Sequence, residues 1–235
     1  MEFHRLLATD SFVSVDLINL PFPAAWQWGA FALFAPLFAW CVAKAPWRSF
    51  EASESAHVWY GAIFGLTLLW SIKAALAAGL ALHLLGVSLF TLLAGPALAL
   101  IGTAAVVAIT TALRDGLWAN YALNTLAMGA VPVLVTAGML RLADRWLPPN
   151  FFIYIFVVSF FGAAAAMSAA GLFASAAILL ADGQRAISIV NEHLPYLILL
   201  AFGEAMLTGM LTTLLVVYRP AWVKTFDDTR YLRGR

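Results

Sequence analysis

The sequence predicts an all-α polytopic membrane protein with seven transmembrane helices, its N-terminus outside and its C-terminus in the cytoplasm. Three observations carry that prediction. First, 63% of the 235 residues are hydrophobic, 11% are charged, and the mean hydropathy is +0.91. A soluble domain of this size cannot hide so much apolar surface, so lipid is the solvent for much of the chain. Second, the uncharged runs have helix-crossing lengths and lack the alternation of a membrane β-barrel. Third, Lys and Arg fall unevenly on the two sides those runs define.

In order, Ala24 to Ala43 is one span and Ala56 to Ile72 a second. Ala74 to Leu113 carries no Asp, Glu, Lys or Arg over forty residues. That is too long for one crossing of a ~30 Å core. The Gly95-Pro96 pair cuts it into Ala74–Ala94 and Ala97–Leu113. Gly116–Leu140, Phe151–Ala181 and Leu194–Tyr218 complete the seven. Phe151–Ala181 is over-long and is expected to tilt, to kink near Gly162 or Gly171, or to extend into water. Loops are short, so residues 1–235 form one integral membrane domain. Residues 1–23 are its extracytoplasmic segment and 219–235 its cytoplasmic tail.

With this orientation Lys44, Arg48, Arg141, Arg145, Arg219, Lys224, Arg230, Arg233 and Arg235 lie inside. Arg5, Lys73, Arg114 and Arg185 lie outside, so the bias is nine to four. Trp26, Trp28, Trp47, Trp118, Trp146 and Trp222 sit near span ends, as an aromatic belt requires. Gly61-Ala-Ile-Phe-Gly65 and the alanines from Ala163 to Gly171 are smooth faces for close helix contact, within the chain or in a dimer. A multi-pass location in a membrane is expected. No cleavable signal peptide is expected.

Several function classes fall away. A net charge of +1 gives no reason to expect nucleic acid. The single cysteine, Cys41, allows no internal disulfide and no Cys-based metal cage. No P-loop, zincin or nucleophile-elbow motif is present, so neither an ATPase nor a hydrolase is indicated. No organic cofactor is predicted.

The polar residues inside the spans carry what remains. His83 falls in the outer half of the third span, where an imidazole is either a metal ligand or an interhelical hydrogen-bond partner. Asn120 and Asn124, four apart, share one face at the outer start of the fifth span. His193 follows Asn191-Glu192, a pair suited to a helix N-terminus, and His4 lies in the outer segment. A His with Asn and carboxylate neighbours suits Ni²⁺ or Co²⁺, or Cu²⁺ or Zn²⁺. Glu204 is the deep carboxylate. Ten residues past Leu194, it lies ~15 Å into the membrane. It is expected to be protonated, or hydrogen-bonded to groups such as Asn124 or Thr208, and serves as a polar lock or a substrate or proton site.

The stretches LHLLGVSLFTLLAGP and ANYALNTLAMGAVPVL, with Gly-Glu-Ala-x-x-Thr-Gly in the last helix, resemble the CbiM/NikM-type permeases. These capture cobalt or nickel for energy-coupling-factor transporters. The tail VVYRPAWVKTFDDTRYL resembles a proteobacterial branch of that family. The resemblance covers roughly His57 to Leu232 and implies a seven-helix fold with the N-terminus outside. It implies a metal held by His83 and by a Met-His start. This chain opens Met1-Glu2-Phe3-His4 instead, leaving His4 or His193 to supply a second imidazole. Asn124 would orient or coordinate, and a separate ATPase and coupling subunit would power transport. The alternative is a non-transporting integral subunit or assembly factor of a larger membrane complex.

Overall fold

A computed structural model describes residue 17 and residues 22–48, 55–72, 74–77, 80–114, 116–181 and 183–231. Helices α1 (Ala24–Lys44), α2 (Ser55–Ser71), α3 (Val87–Ala94) and α4 (Pro96–Leu113) come first. They are followed by α5 (Trp118–Trp146), α6 (Phe151–Ala181), α7 (Gly183–Tyr218) and a short α8 (Asp228–Tyr231). Between α2 and α3, strands β1 (Ala74–Ala77) and β2 (Leu80–Leu82) pair antiparallel. Among the described residues five helices are long and apolar enough to cross a membrane: α1, α4, α5, α6 and the Pro195–Tyr218 part of α7. The 17 residues of α2 add a rod of ~26 Å. Trp28, Leu33, Phe64, Ile198 and Phe202 project from the bundle, the outward apolar surface that lipid permits.

The expected helix over Ala74–Ala94 is not continuous. The chain makes the β1–β2 hairpin, then a loop over residues 83–86, and only then the eight-residue α3. Apolar composition measures depth in lipid, not backbone conformation. Gly86 adopts φ +65°, a left-handed turn that closes off helix, and non-local groups satisfy the loop's amides. The expected turn at Gly95-Pro96 does form. Gly95 has φ +80° and Pro96 opens α4, where its missing N–H costs nothing.

The last span also begins earlier than Leu194. α7 runs unbroken from Gly183 through Pro195, so Asn191 and Glu192 lie within a helix and not at its N-terminus. Proline removes one bond from the ladder, and a membrane helix tolerates that loss. In α6 the irregularity is a wide π segment, Tyr154–Phe161, that ends just before Gly162. Gly171 is a packing contact instead. A Cβ there would sit 2.3 Å from Leu197 Cδ1, so α6 and α7 approach closely along the Ala163–Gly171 face. Gly61 and Gly65 differ: a Cβ at either would meet nothing within 4 Å. That GxxxG face is not used within the described part of the chain.

The tail closes one end of the bundle. Pro96 has no N–H to offer the last carbonyls of α3, and the tail supplies replacements. Lys224 N donates to Leu93 O at 3.2 Å. Thr225 donates to Leu92 O through its N at 3.2 Å and through Oγ1 at 2.9 Å. Tyr154 Oη lies 2.7 Å from Thr225 Oγ1, and Phe226 and Tyr231 stack beside it. Tyr231 donates to Asp144 at 2.7 Å, and Arg230 pairs with the same carboxylate at 3.1 Å. Burial, then the Asp144 hydrogen bond, pushes the Tyr231 phenol above its ordinary range.

Candidate functional site

The loop His83-Leu84-Leu85-Gly86 is held from two sides. Trp70, in the last turn of α2, donates from Nε1 to Leu85 O at 2.9 Å, with its ring 5.9 Å from the imidazole. Trp70 O in turn accepts from Arg114. From α7, Glu204 accepts from Leu85 N at 2.9 Å and from Gly86 N at 2.8 Å, one bond to each oxygen. Glu204 is 0% exposed. These two amides precede α3 and would otherwise be buried donors, so the carboxylate both braces the loop and caps the half-helix. A side chain at Gly86 is doubly barred. Its φ is left-handed, and a Cβ would stand 2.7 Å from Leu66 Cδ2.

His83 is 5% exposed. Its Nδ1 lies 3.2 Å from Leu84 O. A carbonyl can only accept, so this contact puts the proton on Nδ1 and the lone pair on Nε2. That is the tautomer a metal-ligating histidine takes when a carbonyl holds its other nitrogen.

A second polar group gathers around Leu17. Asn124 Oδ1 accepts from Leu17 N at 2.8 Å, and Asn120 Nδ2 donates to Leu17 O at 3.0 Å. The i, i+4 spacing on α5 sets the two amides side by side, and both satisfy one residue's backbone. Leu17 packs in the same apolar cluster as Trp70, Leu85 and Val87. Asn124 Nδ2 is buried with no hydrogen-bond partner among the described residues.

The expected site residues therefore divide. His83 and Glu204 meet on one loop. Asn120 and Asn124 meet on the N-terminal segment. The expected bonds from Glu204 to Asn124 or Thr208 are replaced by bonds from Leu85 N and Gly86 N, one to each oxygen. The Thr208 hydroxyl is buried with no hydrogen-bond partner among the described residues. His193 lies in α7, with its side chain outside the described residues, and His4 lies outside them altogether. Among the described residues no three His, Cys, Asp or Glu side chains converge. Sequence reasoning missed Trp70 and Leu17. Trp70 was readable only as belt or core, and Leu17 acts through its backbone, which no motif records.

These features define a polytopic membrane protein that buries the His83 imidazole on a braced loop inside a helical bundle. The chain belongs to the CbiM family: the model of the cobalt uptake substrate-specific transmembrane region matches residues 20–222. Two solved crystal structures share the fold. One, a transition metal transporter, is 17% identical with a TM-score of 0.64, covering 84% of this chain and 92% of its own. The other, a truncated transition metal transporter, is 16% identical with a TM-score of 0.63, covering 86% and 98%. No curated protein matches the chain.

Proposed function

We propose that this chain is the substrate-capture membrane subunit for cobalt or nickel in an energy-coupling-factor transporter of the bacterial inner membrane. Family membership supports the class of function, and the His83 loop is the single observation that carries the mechanism. The substrate ion binds Nε2 of His83. Glu204 is a positioning residue, because both its oxygens are committed to the loop amides. Asn120 and Asn124 are positioning residues as well, anchoring Leu17 and with it the segment that bears His4. His4 lies thirteen positions before Leu17, a stretch that reaches at most about 45 Å when extended. That tether lets His4 supply a second imidazole, with His193 as the other source. Imidazole suits Ni²⁺ and Co²⁺.

The N-terminus lies outside and the tail inside, with seven crossings, of which α3 and its loop make the third. The nine-to-four Lys/Arg bias supports this orientation. A separate ATPase and a coupling subunit meet the tail side.

The test is metal content of the intact purified protein after loading with Ni²⁺, Co²⁺, Cu²⁺ or Zn²⁺ in turn. Wild type binds Ni²⁺ or Co²⁺, while His83→Gln melts near the wild-type temperature and loses the metal. Wild type binding none of the four above background overturns the reading in favour of a non-transporting subunit of a larger membrane complex.

A further inference from the structure

A slot runs along the lipid-facing side of the bundle between α2 and α7, floored by α3. Two voids make it up, of 650 and 270 Å³, and they join at Ala62 and Leu93. Its α2 wall is the unused small face, Gly61, Ala62 and Gly65. Its α7 wall is Leu207, Leu211 and Leu215, spaced four apart on one stripe. From Leu207 to Arg219 the wall rises ~18 Å at ~1.5 Å per residue. One leaflet of a ~30 Å hydrocarbon core is about that deep.

The two ends of the slot differ in character. Near Gly86 every lining side chain is apolar. At the tail end it is lined by His57, Arg219 and Trp222, with the Arg219 guanidinium 5.8 Å from the Trp222 ring centre. Lys224 lines the adjoining cavity, which shares Val58 and Leu93 with the slot. The described acids nearby are engaged elsewhere. Asp144 holds Arg230 and Tyr231, and Asp227 accepts from Thr229 and Arg230. Arg219 has no acidic partner among the described residues. An apolar channel one leaflet deep, with an interfacial Trp and a basic mouth that no described acid compensates, complements an acyl chain under an anionic headgroup.

We propose that this slot binds one anionic phospholipid, its phosphate on Arg219 flanked by His57 and Lys224, and one acyl chain lying against Gly61 and Gly65. The chain tip then rests on Leu89 and Phe90 of α3, so the lipid buttresses the half-helix that follows the His83 loop. The proposal needs no metal and stands apart from the capture reading.

The test is native mass spectrometry of the intact protein with added phosphatidylglycerol or phosphatidylethanolamine. Wild type retains one phosphatidylglycerol in preference to phosphatidylethanolamine. Arg219→Gln lowers that preference by about fivefold, the order expected for one basic side chain at an anionic surface. Gly61→Leu projects a side chain into the slot from a position where a Cβ meets nothing within 4 Å, and lowers retention of both lipids. Circular dichroism and melting confirm that both variants fold. Equal retention of the two lipids by wild type, or a preference unchanged in Arg219→Gln, overturns the proposal. So does a dimer that Gly61→Leu dissolves with no lipid preference, since a second helix would then fill the slot.

Discussion

At the scale of single residues, Glu204 shows how geometry revises an argument from composition. A deep carboxylate among apolar residues invites the expectation that Glu204→Gln is benign. The bonds argue otherwise. Each oxygen accepts from a backbone amide, and glutamine keeps only one acceptor. Its NH₂ would face an N–H donor, leaving a buried amide unsatisfied at a cost of about 1–3 kcal/mol. Glu204→Gln should therefore lower the melting temperature in detergent and weaken metal retention, although it touches no metal. A Gln variant that melts with wild type contradicts the brace. The identity of the buried polar residues was visible in the sequence, whereas their partners were not. Leu85, Gly86 and Leu17 contribute backbone groups, and backbone groups leave no signature in residue type.

At the scale of elements, α1, α4 and α6 were legible because length and lack of charge fix a helix long and apolar enough to cross a membrane, and α2 was legible as a helix. The broken third span was not. The same leucines and alanines serve a hairpin, a loop or a helix, and the choice rests on Glu204, 118 positions from Gly86. The tail was likewise hidden, because its value lies in capping Leu92 and Leu93 of a distant helix. That docking has a pH signature. The Tyr231 phenol is raised above its ordinary value of about 10 by burial and by Asp144. A raised pKa gives stability that is fully present below the ordinary value and declines as pH rises through the folded value. Limited proteolysis should thus find the tail protected at neutral pH and released in strong alkali. Tyr231→Phe should remove that alkaline step, and a step persisting in the variant assigns it to another group.

At the scale of the whole molecule, contacts gather at two ends. One holds Leu17, Trp70, Arg114 and the His83 loop. The other holds Leu93, Asp144, Tyr154 and the tail. On the proposed topology the first faces outward. Reporter fusions between Asp182 and Glu192 should then read outside and fusions at Arg235 inside. The reverse pattern turns the molecule over and moves capture to the wrong side. The central claim is that His83 itself touches the substrate ion. X-ray absorption at the metal edge of the Ni²⁺- or Co²⁺-loaded protein tests it most directly. The account predicts imidazole scattering in wild type that loses one nitrogen ligand in His83→Gln, while Asn120→Ala keeps the imidazole signal. A His83→Gln spectrum identical to wild type at full metal occupancy would contradict it.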